Sequence, residues 1–100
     1  MTVLFNPEAE AEFLAAVFYY EEQSPGLGEA FRTAVTEATA QVVALPFAWP
    51  VHSGRVRRCL VRRFPYGILY KAQANCIYVV AVMHLRRHPD YWKHRKNEGS

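Results

Sequence analysis

The stretch Cys76-Ile77-Tyr78-Val79-Val80-Ala81-Val82-Met83-His84 predicts a strand with two apolar faces. Alternate side chains of a strand point to opposite faces of its sheet, and here both sets are apolar. One set is Ile77, Val79, Ala81 and Met83, and the other is Tyr78, Val80 and Val82. A strand that is apolar on both faces is usually buried on both, so we expect this one in the interior of a sheet.

Two further strands are predicted directly before it. Val56–Phe64 is rich in β-branched residues and arginine, and Gly67–Gln73 follows it. Pro65-Tyr66-Gly67 supplies a turn between these two strands, and Ala74-Asn75 makes a tight connection to the last one. Connections this short join antiparallel neighbours, so the three strands form a meander. The apolar stretch Val3-Leu4-Phe5 has a natural place beside the last strand.

Two helices are predicted between Phe5 and the meander. Asn6 suits an N-cap and Pro7 suits the first helical position, so the first helix runs from Pro7 to about Gln23. Ser24-Pro25-Gly26 breaks it, and a second helix follows from Leu27 or Gly28 to Leu45. Because the break is short, the two helices form an antiparallel hairpin.

The predicted fold class is α+β. The order β-α-α-β-β-β gives two layers, with the helical hairpin packed on a small, mainly antiparallel sheet. Trp49–Gly54 is expected to be a loop. Residues 86–100 form a basic tail with one helical turn around Tyr91 to Arg95. One hundred residues suit one domain, so we expect a single domain over residues 1–100.

The two halves of the chain carry opposite charge. Residues 1–50 hold seven glutamates against one base, Arg32, which leaves −6. Residues 51–100 hold eleven Lys and Arg against Asp90 and Glu98, which leaves +9 and makes the total +3. A concentrated basic face attracts acidic protein or nucleic acid. The plainer alternative is that the basic side chains solvate one face of the sheet.

Several classes of protein are not indicated. The longest apolar run, Ile77–Leu85, is too short to cross a bilayer. The N-terminal residues show neither the basic region nor the apolar core of a signal peptide, so we expect a cytoplasmic protein with no membrane partner. In that reducing compartment Cys59 and Cys76 are expected to be free thiols. The sequence has no Walker, GxGxxG or CxxC pattern, and no cofactor is predicted.

Short motifs stand in a set order along the chain. In the first half they are Tyr19-Tyr20-Glu21, Ser24-Pro25-Gly26-Leu27-Gly28, Phe31, Pro46 and Trp49-Pro50. In the second half they are Val56-Arg57-Arg58, Arg63-Phe64-Pro65-Tyr66-Gly67-Ile68, Tyr70, Ala81-Val82-Met83-His84, Arg87, Pro89, Tyr91-Trp92 and Arg95. From about Phe5 to Arg95, this order resembles the RelE/ParE superfamily of toxins. It is most similar to the ParE-like, plasmid-stabilisation branch.

The resemblance implies the toxin of a type II toxin–antitoxin system. Such a protein arrests growth when free and is silenced by a cognate antitoxin. RelE-type members cut mRNA on the ribosome, whereas the studied ParE-type members inhibit DNA gyrase. The two branches share one fold, so the fold does not separate these two targets.

The matching stretch Gly67-Ile68-Leu69-Tyr70 bears on this choice. RelE-type ribonucleases generally place an arginine just before this apolar pair and tyrosine, and here the position holds Gly67. We therefore favour a toxin that is not an enzyme and that acts by binding and blocking gyrase. The alternative is a metal-independent mRNA endonuclease, with cations for the transition state and His84 as acid or base. Its catalytic residues would be Arg58, Arg63, His84 and Arg87. His84 is otherwise a structural residue that finishes its strand.

Basic and aromatic residues of the second half are expected to bind the target or the antitoxin. They are Arg57, Arg58, Arg62, Arg63, Tyr70, Arg86, Arg87, Tyr91, Trp92 and Arg95. The first four fall on both faces of one predicted strand, so some are expected to bridge to acids of the hairpin and others to remain for a partner. The aromatic residues either stack on nucleotides or fill the core and interfaces. His84, His88 and His94 fit no regular zinc spacing, so no metal is predicted.

The predicted fold leaves an edge strand and a groove beside the helices. Such features accept an added strand or an amphipathic helix. A basic surface favours an acidic, partly disordered antitoxin that folds on binding and forms a hetero-oligomer with the chain. A third hypothesis is a plain nucleic-acid-binding module. The acidic hairpin and the lack of a helix-turn-helix or RRM signature stand against it.

Overall fold

The computed structural model describes residues 1–95, which form two helices and one five-stranded sheet. In chain order the elements are β1 (Thr2–Phe5), α1 (Pro7–Gln23), α2 (Leu27–Ala44), β2 (Val51–Ser53), β3 (Val56–Leu60), β4 (Tyr66–Gln73) and β5 (Cys76–His84). The strands lie in the order β1-β5-β4-β3-β2, with β1 parallel to β5 and the other pairs antiparallel. The predicted α+β class, the helical hairpin and the place of β1 beside β5 are confirmed.

The bounds of the strands in the second half of the chain differ from the prediction. Val51–Ser53, expected to belong to a loop, is strand β2 and pairs with β3. Its three residues are too few to show a strand period in the sequence. The strand predicted over residues 56–64 ends at Leu60. Arg63 has φ 74°, a left-handed conformation that suits the turn before β4 and that a strand excludes.

Local signals place both helices. Asn6 caps α1 as predicted, since its side-chain Oδ1 accepts a hydrogen bond from the Glu8 N–H at 2.8 Å. Gly26 has no side chain to cap α2, and the Glu21 carboxylate accepts the N–H groups of Gly26 and Gly28 instead. A Cβ at Gly28 would lie 2.6 Å from a backbone oxygen of α1, so glycine allows the close approach of the two helices. Neither helix of residues 1–95 has the length and the apolar run of a membrane span.

The helical hairpin packs on one face of the sheet through an aromatic cluster. Phe31 of α2 is fully buried. Its ring centroid stands between 5.0 and 6.1 Å from those of Phe13, Tyr20, Phe64 and Tyr66. The cluster joins α1, α2 and β4 at one end of the hairpin. At its other end, α2 runs on beside β1 with a groove between them.

Strand β5 is buried on both faces, as predicted, but its side chains do not alternate throughout. Leu69 pairs with Ala81 and Tyr70 with Val79, so Val80 is an extra residue that forms a β-bulge. After the bulge, Ala81 and Met83 share the face of Tyr78 and Val80, while Val82 shares the face of Ile77 and Val79. The predicted division of faces is therefore wrong beyond Val80. Because both sets are apolar, the polarity pattern gave no sign of the shift.

The second face of the sheet is covered by the C-terminal tail. Trp92 is 6% exposed and packs with Val56, Leu69, Tyr78, Val80, Ala81 and Met83. The N–H groups of Tyr91, Lys93 and Arg95 each donate to the carbonyl three residues earlier, so the expected helical turn is a series of tighter turns. Residues 96–100 of the predicted tail lie outside the described residues.

Candidate partner-binding surfaces

An open apolar groove lies between α2 and the edge strand β1. Its volume is about 600 Å³, which is within the usual range for ligand sites. It is lined by Val3, Phe5, Phe13, Arg32, Val35, Thr36, Thr39, Ala40 and Val43. Arg32 is the one charged side chain of this lining. The groove is therefore suited to the apolar face of a helix or of an added strand.

The outer edge of β1 borders this groove. Thr2 and Asn6 donate their backbone N–H groups to Asn75 and Val79, on the β5 side. By the alternation of a strand, the N–H and C=O groups of Val3 and Phe5 point the other way, toward the edge of the sheet. Val3 and Phe5 also line the groove with their side chains. A strand added beside β1 would pair with these two residues and lay alternate side chains over the groove.

Glu12 of α1 holds the C-terminal tail. Its two oxygens each accept a guanidinium N–H of Arg95 at 2.9 Å, and Oε2 also accepts the Tyr91 hydroxyl at 2.6 Å. The side chains of Arg95 and Glu12 are 5% and 17% exposed. The hydrogen bond with Glu12 raises the pKa of Arg95. Burial, followed by the hydrogen bond with Glu12, raises the pKa of Tyr91 well above its usual value. Both residues therefore keep the protonated form that donates to Glu12.

The Glu12–Arg95 ion pair also completes the edge of β5. Strand β1 pairs with β5 only as far as Val79. Beyond it, Arg95 Nη1 donates to the Val80 carbonyl at 3.0 Å, and the Val82 N–H donates to Glu12 Oε1 at 3.1 Å. Two side chains thus supply the donor and the acceptor that a neighbouring strand would supply. This arrangement satisfies buried backbone groups and blocks strand addition at this part of the edge.

The tail is held at the opposite margin of the sheet by β2. His52 Nε2 lies 2.8 Å from the Pro89 carbonyl oxygen, and the Trp92 indole N–H donates to the same oxygen at 2.6 Å. The tail is thus fixed on both sides of the sheet. Arg86 and Arg87 are exposed on this fixed segment, which presents two cations in a defined place.

Three residues predicted to bind a partner lie inside the fold. Tyr70 is fully buried, its hydroxyl donates to the Pro46 carbonyl at 2.7 Å, and burial raises its pKa to about 12. Trp92 is buried against the sheet, and Arg95 is buried beside Glu12. Such side chains have almost no surface to offer a partner. The prediction is corrected for these three, whose aromatic and basic character serves packing and ion pairing within the chain. Tyr91 is half-buried, with the Arg87 guanidinium 3.9 Å from its ring centroid.

The four arginines around β3 do not form the expected ion pairs with the hairpin. Within residues 1–95, no carboxylate lies within 4.0 Å of Arg57, Arg58, Arg62 or Arg63. Arg57 donates to the Trp49 carbonyl at 2.7 Å. Arg62 and Arg63 are exposed in the turn before β4, not on a strand as predicted. The ion pair between the basic half and the hairpin is made by Arg95 instead.

The predicted ribonuclease residues are only partly brought together. His84 and Arg87 line a cavity of about 290 Å³ with Tyr19 and Tyr66. His84 Nδ1 accepts the Arg86 N–H at 3.0 Å, which leaves Nε2 to carry the proton of the neutral ring. Arg58 and Arg63 do not line this cavity. A Cβ at Gly67 would lie 3.1 Å from Arg58 Cγ, so a larger residue at position 67 would require the Arg58 side chain to shift by a few tenths of an ångström.

The histidines considered as metal ligands have other partners. His88 Nδ1 accepts the Asp90 N–H, and His94 Nε2 lies 3.3 Å from a Glu8 carboxylate oxygen. No group of three His, Cys, Asp or Glu side chains able to hold a metal occurs in residues 1–95. Cys59 and Cys76 are free thiols.

A helical hairpin on a mixed five-stranded sheet, with a groove at its free edge, defines the chain as a small two-layer α+β protein. A solved structure described as the chromosomal ParDE TA system from P. aeruginosa shares this fold, with a TM-score of 0.63 and 18% sequence identity. The match covers 86% of this chain and 97% of that chain. The family model for the ParE toxin of the type II toxin–antitoxin system, parDE, matches residues 3–89. The chain belongs to this family, and membership implies an antitoxin partner. No curated protein matches the sequence.

Two residues of these surfaces were missed in the sequence. Glu12 stands among several glutamates of α1 and looks like one more solvated acid. His52 lies in what was expected to be a loop. Each makes its contacts with a residue more than thirty positions away, so no local spacing could indicate it. The charge split between the two halves was the one signal that some pair of this kind would form.

Proposed function

We propose that this ParE-type toxin is neutralised by an antitoxin that binds in the β1–α2 groove. One observation supports this proposal above all. Val3 and Phe5 line the apolar groove with their side chains and also form the free backbone edge of β1. An amphipathic helix can bury its apolar face in the groove, and an extended segment can pair with β1. Either segment removes apolar surface from water at both partners.

The charge of the chain supports an acidic antitoxin. Residues 51–100 carry a net charge of +9, whereas residues 1–50, which form the groove, carry −6. Long-range attraction therefore draws an acidic partner to the strand-rich half, while its apolar segment occupies the groove. Arg32, the one cation of the groove lining, already pairs with Glu29 at 3.5 Å. A disordered acidic segment would fold as it binds, and the complex would be a hetero-oligomer.

Replacing Thr36 with arginine should separate neutralisation from toxicity. Thr36 is an exposed residue of α2 that lines the groove, so a long cation there blocks an apolar partner without disturbing the core. We expect binding of the co-expressed antitoxin to weaken by about tenfold to a hundredfold, because a desolvated charge opposes burial. Pull-down and growth of cells that carry both genes measure this result.

Thr33 offers the matched control on the other side of α2. It is also exposed, but it faces the cavity beside Arg62 and Arg63 rather than the groove. Thr33→Arg should leave neutralisation unchanged. Equal neutralisation of the Thr36→Arg and Thr33→Arg variants would place the antitoxin elsewhere.

We propose DNA gyrase as the target, bound through the exposed cations of the tail and of the turn before β4, Arg62 and Arg63. Family membership supports this target, because the studied ParE-type members inhibit gyrase. Gly67 at the arginine position argues against RNA cleavage, as does the absence of Arg58 and Arg63 from the lining of the His84 cavity. Blocking a large enzyme needs only a binding surface, which Arg86 and Arg87 offer on a fixed segment. The proposed target places the action of the chain in the cytoplasm.

The cavity of His84 and Arg87 is the observation that favours mRNA cleavage as the second candidate. A short pulse of expression distinguishes the two. We expect filamentation, a DNA-damage response and lost plasmid supercoiling, with mRNA intact. The His84→Gln variant should remain as toxic as the parent, because this proposal gives the imidazole no proton to transfer. Rapid mRNA cleavage that the His84→Gln variant abolishes would establish the ribonuclease and exclude gyrase.

A further inference from the structure

A second open pocket lies at the other margin of the sheet, near β2. It has a volume of about 360 Å³ and is lined by Phe47, Val51, Gly54, Arg55, Arg57 and Ala72. It shares no lining residue with the β1–α2 groove or with the cavity of His84. Phe47 comes from the loop after α2, where the helix no longer covers the sheet. We call this site the Phe47 pocket.

The Phe47 pocket has an apolar wall that faces water. Phe47 is 70% exposed and Val51 is 56% exposed, and Leu45 close by in sequence is 63% exposed. A single exposed apolar residue needs no explanation, but several in one short stretch mark a surface that another molecule covers. The exposed ring of Phe47 has the character of an interface anchor.

The lining of the pocket also includes two cations without acidic partners. Within residues 1–95, no carboxylate lies within 4.0 Å of Arg55 or Arg57. Arg57 is held in place, because Nη1 donates to the carbonyls of Trp49 at 2.7 Å and Phe47 at 3.3 Å. Its guanidinium also lies 5.4 Å from the Phe47 ring centroid. A guanidinium already fixed in this way loses little freedom when a carboxylate binds it.

We propose that the Phe47 pocket binds an extended acidic segment of a partner protein. An apolar side chain of the segment packs on Phe47 and Val51, and its neighbouring carboxylates pair with Arg55 and Arg57. Strand β2 lies at the edge of the sheet within residues 1–95, so the backbone of the segment can pair with it. The proposal concerns a site separate from the antitoxin groove and does not depend on the identity of the target.

A short peptide of alternating leucine and aspartate is a direct probe of this site. Titrated into the full chain and followed by backbone NMR, it should shift the resonances of residues 47–57 and of Ala72. Matched peptides with lysine in place of aspartate, or serine in place of leucine, should bind at least about tenfold more weakly. Higher salt should weaken binding of the acidic peptide, since its charges remain partly exposed.

Phe47 and Arg55 are both exposed, so each can be replaced without disturbing the fold. Phe47→Ser should weaken binding of the acidic peptide about tenfold, and Arg55→Gln about twofold to fivefold. Phe18→Ser and Arg86→Gln are the controls, since Phe18 is 69% exposed and Arg86 is also exposed, both outside the pocket. These controls should bind as the parent does.

Four results would overturn the proposal. The first is no binding of the acidic peptide at about 1 mM. The second is equal or tighter binding of the lysine peptide or of a DNA oligonucleotide. The third is a set of shifts centred on Val3, Phe5 and Val43, which would place the peptide in the groove. The fourth is equal weakening by the pocket variants and their controls.

Discussion

Replacing Arg95 with alanine is expected to lower the free energy of unfolding by about 3–5 kcal/mol, because it leaves a buried carboxylate without its counter-ion. The Glu12 and Arg95 side chains are 17% and 5% exposed, so water screens the pair little. The substitution also removes the donor to the Val80 carbonyl. Chemical denaturation of the parent and variant measures the difference.

Glu8 gives the matched control for this prediction. Its carboxylate lies 3.6 Å from the Arg95 guanidinium, but the side chain is 52% exposed. Glu8→Ala should therefore cost less than about 1 kcal/mol. Equal losses for Arg95→Ala and Glu8→Ala would show that burial of the Glu12–Arg95 pair contributes nothing.

The edge-completing role of the pair has its own test in the double variant Glu12→Leu, Arg95→Met. Apolar replacement of a buried ion pair is often neutral. Here it would leave the Val80 carbonyl and the Val82 N–H without partners, at about 1–3 kcal/mol for each group. We expect the double variant to remain about 2 kcal/mol or more below the parent. A double variant as stable as the parent would contradict the role of the pair at the β5 edge.

Replacing Trp92 with alanine is expected to lower the free energy of unfolding by about 3–5 kcal/mol, since a large buried ring is lost and a cavity remains. Trp92 is 6% exposed and covers the face of the sheet that carries Leu69, Val80 and Met83. These apolar side chains would meet water in the variant. We expect increased binding of a hydrophobic dye as well as the lower unfolding midpoint.

Phe18→Ala is the control for Trp92→Ala. Phe18 is also aromatic but is 69% exposed on the outer side of α1. Its removal should change the free energy of unfolding by about 0.5 kcal/mol or less. A loss near zero for Trp92→Ala would mean that the tail is not part of the folded core.

The main elements of the fold were predictable because their signals are local and strong. Asn6 and Pro7 mark the start of α1, and the apolar run of β5 marks an interior strand. Three features were not predictable for physical reasons. Strand β2 is too short to show a period, and the left-handed turn at Arg63 follows an unbroken β-like pattern. The bulge at Val80 lies in a strand whose two faces are both apolar.

The candidate surfaces were less predictable than the fold. The sequence indicated that the basic half carries the surface that binds a partner, but it did not distinguish exposed cations from buried ones. Arg86 and Arg95 look alike in the sequence, yet Arg86 faces water while Arg95 pairs with Glu12 beneath the tail. The distinction depends on contacts between α1 and the tail, which lie far apart along the chain. Tyr70 was misjudged for the same reason, because its partner Pro46 is distant in sequence.

Supercoiling of relaxed plasmid by purified gyrase measures whether the chain inhibits this enzyme. We predict that the purified chain lowers supercoiling as its concentration rises. Mixing the parent toxin with the cognate antitoxin beforehand should restore gyrase activity. The same treatment of the Thr36→Arg toxin should restore much less of it. Two results together would contradict gyrase as the target. The first is unchanged supercoiling by purified gyrase at toxin concentrations that arrest growth in cells, and the second is cleaved mRNA in the arrested cells.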